Sequence, residues 1–417
     1  VVGMSEKANV VIKGTRSTGG RFVLAAQGLY PARELKGKQG VKAFFRDVNS
    51  VQFDPINIVG RNPDLVLQSR VGDYQSGMLD ELLYEERWLW DGWDKMASLY
   101  PAEDWSFFSR HRANMEDRFG VPSEVVMELA PRVLEKIEKH GPQSSLDFDF
   151  DRKTDWAWGP ARAARAALEG LYKMGKLGVH HRVNNRRYFD LISRLLPARI
   201  REEPEPHPED DGYQRWHLRR RIGSLKLAHP HAGVHWSGID GVKTARRRRL
   251  LKEMAREEQV IPVEVEGIDR GAFYILPDDL ALLEKTARPR EAADTAAFIA
   301  PLDNLLWDRD ALTWLFDFEY VWEVYKPARD RQYGYYVLPV LYEEHFVGRI
   351  EPVFDREEGE LMIEGWWWEQ GRALSPDMAG ALQTALEKFL TYLGAEQLKI
   401  SPSLQDTDHL DWLLSLA

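Results

Sequence analysis

The chain contains no cysteine, which excludes disulfides, thiolate metal sites and cysteine nucleophiles. No apolar run approaches the roughly 18 residues of a membrane helix, and the N-terminus lacks a secretory-signal pattern. A cytoplasmic location and no membrane partner are therefore expected. P-loop, G-x-G-x-x-G, G-x-S-x-G and H-E-x-x-H motifs are all missing, so phosphate cradles, dinucleotide sites, serine nucleophiles and that zinc signature have no support. His229, His231 and His235 lie close together, but their loop carries no accompanying carboxylates, and neither a metal nor a cofactor is expected.

What is present is ordinary for a soluble globular chain: 417 residues, 44% hydrophobic and 29% charged. That length points to two to four domains. The net charge of −10 argues against nucleic acid, but its distribution argues the other way. Residues 161–201 hold ten Lys/Arg against two Asp/Glu, and residues 213–252 hold eleven against one. Such segregation describes a polyanion-binding face on an acidic body, or else a pair of solvated helix faces.

Helical and strand periodicities divide the chain into five segments. Residues 1–20 are expected to be flexible, with Met4 a candidate start. Residues 21–121 read as a helix-rich unit with helices at 21–30, 41–48 and 77–87. Residues 122–201 give a helix over 123–140, a Ser144-Ser145 cap for a short helix, a loop with Trp156 and Trp158, a helix over 162–175 and a basic hairpin turning at Asn184-Asn185. Helices followed by a basic hairpin have the element order of a winged helix. After an acidic, proline-rich break at 202–211, residues 202–283 repeat that plan, with Arg246-Arg247-Arg248-Arg249 on the long helix and a hairpin over 260–276. Residues 284–417 open on a short helix and linker. Strands are then predicted at 320–325, 333–341, 346–354 and 361–368, a helix at 378–393 and a last strand at 398–400. Trp366-Trp367-Trp368 reads as a packed strand. The fold class is α+β: tandem winged-helix domains followed by a C-terminal β-barrel-like domain.

One stretch breaks its own pattern. In Val51-Gln52-Phe53-Asp54-Pro55 a short apolar alternation carries two polar side chains. The two-residue period of a strand puts Gln52 and Asp54 on one face, with Val51 and Phe53 on the other. Pro55 then ends the strand. The simplest structural alternative is that Asp54 caps the following helix and Gln52 is a surface residue.

Gln52-Phe53-Asp54, Ile56-Asn57-Ile58-Val59-Gly60-Arg61-Asn62-Pro63, Ser69-Arg70-Val71-Gly72-Asp73-Tyr74, Leu302-Asp303-Asn304-Leu305-Leu306-Trp307-Asp308-Arg309 and Arg331-Gln332-Tyr333-Gly334-Tyr335-Tyr336 resemble the YcaQ/AlkZ family of bacterial DNA glycosylases. The resemblance covers nearly the whole chain past residue 20. The Gln-apolar-Asp form is similar to the YcaQ-like branch. One stretch departs: Trp93-Asp94-Lys95-Met96-Ala97 stands where the family reads Trp-Ala-His-Glu-Ala, so no role for that His–Glu pair carries over.

The resemblance implies excision of alkylated purines and unhooking of interstrand crosslinks in double-stranded DNA, by a monomer in the bacterial cytoplasm at the nucleoid. An N7- or N3-alkylated purine is already cationic and leaves without a general acid, while the sugar becomes oxocarbenium-like. Asp54 then activates water and stabilises the cation, and Gln52 orients the water. No catalytic lysine is implied, so simple hydrolysis is expected, in an open, DNA-lined site. The expected DNA contacts are Arg61, Asn62, Arg70, Arg162, Arg165, Arg186, Arg187, Arg246, Arg247, Arg248 and Arg249, with Arg331, Gln332 and Tyr333 reaching the lesion. The competing readings are a non-enzymatic winged-helix DNA-binding regulator, and a protein whose basic faces bind RNA or an acidic partner.

Overall fold

Val41, Phe44, Phe45 and Val48 recur at helical spacing, and in the computed structural model they form the buried stripe of the helix Gly37–Val48. Asn49 ends that helix at φ 65°, a left-handed turn that asparagine tolerates. The chain passes directly into the strand Val51–Gln52. The structure describes residues 11–32, 34–114, 123–150, 153–154, 161–288, 294–372, 374–404, 410–414 and 416. The predicted loop around Trp156 and Trp158 lies outside them, as does the first half of the expected flexible N-terminus.

The chain forms two units: residues up to Leu79 together with those from Arg215 onward, and Asp80–Gln214. This division differs from the five segments expected, since it passes through two of them.

The first unit contains a three-stranded sheet. Ile12–Gly14, in the stretch expected to fray, pairs parallel to Ile261–Val265, which pairs antiparallel to Phe273–Ile275. Adding the N-terminal strand to the predicted hairpin explains why it does not fray: its backbone groups have a ladder to join. Before that hairpin come the helix Asp210–Leu225 (in this unit from Arg215), a short 3-10 turn at Val234–Trp236 and the helix Thr244–Arg256.

The C-terminal sheet has five strands in the order Ala296–Phe298, Leu338–Tyr342, His345–Asp355, Glu360–Trp368, Gln397–Ile400. Its first three junctions are antiparallel and the last is parallel. The helix Pro376–Leu393 makes that parallel crossover and buries Met378, Leu382, Leu386 and Phe389. Among the described residues the two edge strands do not pair, so this is an open half-barrel rather than the barrel-like closure expected. The predicted strand at 320–325 is instead irregular and ends in a 3-10 turn at Glu323–Tyr325. The strand predicted at 333–341 begins only at Leu338. Glu323 is the reason for both: its buried carboxylate collects the Gln332 and Tyr333 amides at 2.9–3.1 Å, taking that backbone out of a ladder.

In the second unit the helices Ser123–His140 and Ala163–Lys173 pack through Val126, Val133, Ile137, Leu168 and Leu171. A hairpin follows, Leu177–Val183 with Arg186–Leu191, turning at Asn184 (φ 53°). The expected Ser144 helix does not form, because Asp147 takes both the amide and the hydroxyl of Ser144 at 2.7 Å in a turn. Leu89–Trp93 and Ala97–Pro101 make a second hairpin. The divergent Asp94-Lys95-Met96 is its turn, with Asp94 and Lys95 buried.

Candidate active site

The strand Val51–Gln52 is held by side chains that bond its main chain. The Ser224 hydroxyl donates to the Val48 carbonyl at 2.7 Å. Arg220 donates to the Asn49 carbonyl at 2.9 Å, and Asn49 Nδ2 returns a bond to the Arg220 carbonyl at 3.2 Å. Asn304 Nδ2 donates to the Ser50 carbonyl at 2.9 Å, and Asn62 Nδ2 to the Gln52 carbonyl at 2.8 Å. Asn62 Oδ1 also accepts the Leu302 amide at 3.0 Å. Five consecutive residues thus have four carbonyls fixed by side chains from sequence-distant elements. Gly223 is required for the close approach, since a Cβ there would lie 2.5 Å from Asn49 Nδ2.

The Asn304 clamp is itself anchored. Asp303 caps its own turn through the Leu305 amide at 2.9 Å. It also meets Arg70 in a two-pronged ion pair, 2.8 Å on both oxygens, with neither side chain exposed at all. Arg70 donates further to the carbonyls of Gln27 and Val66.

Beyond Gln52 the backbone leaves the strand. Gln52 and Phe53 are both buried, while Asp54 is half-buried. The alternation therefore does not put Gln52 and Asp54 together on an open face, because the strand lasts two residues and is covered on both sides. Nor does Asp54 cap a helix, since the next one begins at Asn62. Asp54 Oδ1 instead accepts the Ile56 amide at 2.9 Å, a local turn that holds the carboxylate across Pro55. Oδ2 makes no hydrogen bond to any described residue. Burial pushes the Asp54 carboxyl above its ordinary value of 3.8, with the Ile56 amide pulling the other way. A carboxylate so placed is a stronger base than a free aspartate.

Downstream, the segment is pinned to the half-barrel. Arg356 donates to the Asn57 carbonyl and side chain at 3.2 and 2.6 Å, and the Phe354 amide to the Ile58 carbonyl at 3.3 Å.

Two tyrosines lie within electrostatic reach of Asp54. Burial chiefly, and then the Asp54 charge, raises the pKa of both Tyr325 and Tyr336. Tyr336 is buried, whereas Tyr325 is 79% exposed. Exposed Tyr335 lies under the Arg331 guanidinium, 4.9 Å from its ring centre. An exposed ring beside a carboxylate is a surface on which a base can stack. Tyr325 escaped the sequence reading because it sat inside a predicted strand; its signal was the following Pro327, which argues against a continuing strand.

The expected DNA contacts divide into interior and exterior groups. Asn62 and Arg70 are buried clamps, out of reach of a phosphate. Arg61 is paired with Asp64 at 2.5 and 3.1 Å, and Tyr74 donates to the same carboxylate at 2.6 Å. Arg247 is buried and donates to the carbonyls of Pro230 and His231. Arg187 bonds Glu169 and lies over the rings of Tyr172 and Phe189. Asn62, Arg70 and Arg247, expected on DNA, turn inward onto buried polar groups, while Arg61 and Arg187 are half-buried and ion-paired. Arg162, Arg165, Arg186, Arg248 and Arg249 are exposed, and Arg246 is half-buried. In the second unit Arg165 and Arg186 line a groove of ≈ 240 Å³ with Ser145, Asn185 and Glu169. Near the half-barrel, Gln332 is exposed, Arg331 and Tyr333 half-buried, and Tyr333 meets the edge of Trp367.

Carboxylates missing from the histidine loop come to it from elsewhere. Asp308 and Asp310, at the start of the helix Arg309–Phe316, reach His231 and His235.

The chain resembles the solved structure of Streptomyces sahachiroi DNA glycosylase AlkZ, with a TM-score of 0.60 at 14% identity, over 94% of this chain and 100% of that one. At that identity the likeness speaks for the fold. The family described as DNA glycosylase AlkZ-like matches residues 45–392, from the Gly37–Val48 helix through the Asp54 stretch and both basic regions to the last turns of the half-barrel helix. The chain belongs to the AlkZ-like DNA glycosylase family.

Proposed function

We propose that this glycosylase hydrolyses the N-glycosidic bond of cationic alkylated purines, N7-alkylguanine and N3-alkyladenine, and unhooks interstrand crosslinks built on the same bond. The observation that carries this reading is Asp54: a half-buried carboxylate of raised pKa, one oxygen fixed by its own turn and the other open. A cationic purine needs no proton to depart, so one carboxylate suffices to activate water and stabilise the oxocarbenium ion. Gln52, two residues upstream and buried on the clamped backbone, acts by positioning Asp54 rather than by holding that water. Tyr325 and Tyr335 supply rings for a positively charged base, an attraction worth about 0.5–2 kcal/mol. Arg331, Gln332 and Tyr333 contact the lesion strand.

Tandem winged helices bring the DNA. The helix–helix–hairpin order in each unit supports this, with Arg162, Arg165, Arg186, Arg246, Arg248 and Arg249 as phosphate contacts. The reaction is monofunctional hydrolysis, and borohydride traps no protein–DNA adduct during turnover.

The experiment is a parallel incubation of the protein with duplexes carrying N7-methylguanine, N3-methyladenine or a nitrogen-mustard crosslink. Release of the alkylated bases, with none from unmodified duplex, is expected. Retention of all three would sink the substrate assignment.

A further inference from the structure

We propose that the loop His229–Trp236 and the start of the helix Arg309–Phe316 together form a binding site for a divalent first-row metal ion, zinc by its ligand chemistry, with His231 Nε2, His235 Nε2 and the carboxylates of Asp308 and Asp310 as ligands.

Three of the four, His231, His235 and Asp308, are already gathered as in a coordination sphere, and the exposed Asp310 touches it through His231. His231 Nε2 lies 3.3 Å from Asp308 Oδ1 and 3.1 Å from Asp310 Oδ2, and His235 Nε2 lies 3.4 Å from Asp308 Oδ2. Ligand atoms of His231, His235 and Asp308 all fall within 4.8 Å of one another. Nitrogen and oxygen ligands about 2.0–2.2 Å from a tetrahedral zinc lie roughly 3.3–3.5 Å apart. Two imidazoles with two carboxylates suit zinc and its neighbours better than calcium or magnesium.

A second, independent observation is that the groups facing this point lack partners. His235 Nε2 and Asp308 Oδ2 are buried and make no hydrogen bond, though their residues are only 2% and 5% exposed. Asp308 Oδ1 is already occupied as the helix cap, accepting the Ala311 amide at 3.1 Å.

The histidine tautomers explain the deficit. His229 Nε2 is 3.0 Å from the Arg270 carbonyl, which only accepts, so His229 donates there and its Nδ1 is an acceptor. His231 Nδ1, 3.0 Å from that nitrogen, must then donate to it. In the neutral ring this leaves the lone pair of His231 Nε2 aimed at two carboxylates. His235 bonds the His229 main chain; with Nε2 unpartnered, that bond falls to Nδ1, leaving a second lone pair at the same point. Lone pairs and carboxylate oxygens converging without a donor repel one another, and a dication neutralises them all. The Arg270 carbonyl, His229 and His231 form the outer hydrogen-bonded chain that commonly orients a metal-bound imidazole.

Charge and access agree with this. Two neutral imidazoles and two carboxylates carry −2, matching the ion. Arg247 does not compete for the carboxylates, because it donates to the carbonyls of Pro230 and His231 and to Thr244 Oγ1. Asp310, with a 62% exposed side chain, gives the ion an entry. Rotation of the exposed Asp310 side chain onto the three gathered ligands fills the fourth position, so the ion is structural. It ties the histidine loop to the segment that follows the Asp303–Asn304 clamp.

The test uses the full chain without a histidine tag. After dialysis against zinc and then metal-free buffer, elemental analysis is expected to find about one zinc per chain, and cobalt(II) to give the intense visible absorption of a tetrahedral site. Zinc added to chelator-treated protein should raise its melting temperature. In Asp308→Asn and His235→Gln, metal affinity should fall by more than about tenfold. His231→Gln and Asp310→Asn, at the accessible edge, keep the test sound if those variants fail to fold. Protein that retains no zinc and whose melting temperature ignores it would overturn the proposal. Zinc retained undiminished in folded His231→Gln and Asp310→Asn would overturn it too, by putting the ion elsewhere.

Discussion

Between residues 48 and 62 of the first unit, polar side chains turn inward to hold backbone, whereas Arg162, Arg165 and Arg186 of the second unit stand in solvent. Both regions depend on polar or cationic side chains, the first on those that reach its backbone and the second on its own. One fixes the position of a single carboxylate, and the other offers charge to whatever anion approaches. Substitutions should therefore separate the two: inward residues act on stability and rate, outward residues on binding alone.

The largest stability effect is expected at Arg70–Asp303. Removing one partner leaves the other charge buried and unpaired, at a cost of about 3–5 kcal/mol. Asp303→Ala should show this in urea unfolding, and a loss below about 1 kcal/mol would mean the pair is not the anchor described. Next come the amide clamps. Asn62→Ala or Asn304→Ala leaves a backbone carbonyl without its partner, costing about 1–3 kcal/mol. Base release should slow while duplex affinity holds, because Asp54 moves and the arginines do not. If affinity falls and the rate does not, inward and outward roles have been confused.

On the outward side, Arg165→Ala with Arg186→Ala should weaken binding to all duplexes alike and reduce the salt dependence by about 0.9 per lost phosphate contact. Stability should shift by no more than about 0.5 kcal/mol. A large drop in melting temperature would place these arginines with the clamps.

The smallest effect is in pH. Asp54 must be ionised to take a proton from water, and its folded pKa is raised above 3.8, mainly by burial. The single-turnover rate should fall as pH drops through that raised value. Stability runs the other way. The folded state holds this proton more tightly than the unfolded chain, so the contribution is full below the unfolded pKa and is lost as pH rises through the folded one. A rate without an acid limb above 3.8 would remove Asp54 from the base role.

Much of this was legible in the sequence, for reasons that also mark where reading stopped. Helices such as Gly37–Val48 and Pro376–Leu393 carry apolar stripes of helical period, and the paired strands His345–Asp355 and Glu360–Trp368 are read directly. Asp54 showed itself as a carboxylate two residues after Gln52, in a short strand pattern that Pro55 ends. What a local pattern cannot give is the direction of an arginine. Arg220 and Arg221 look like half of a basic face, yet both are buried. Arg220 finds its carbonyl 171 residues away in sequence. Asn62 and Arg70 looked like DNA contacts for the same reason, since their partners at 302 and 303 lie in another part of the chain. Charge counted along the sequence therefore overstated the basic surface.

The central claim is that Asp54, fixed by its turn and by the clamped strand, performs the chemistry rather than the binding. Single-turnover release of N7-methylguanine by Asp54→Asn, measured beside its duplex affinity, tests this most directly. The rate should fall by about 10²–10⁴-fold with the affinity unchanged. Release at the wild-type rate, or a loss explained wholly by weakened binding, would contradict it.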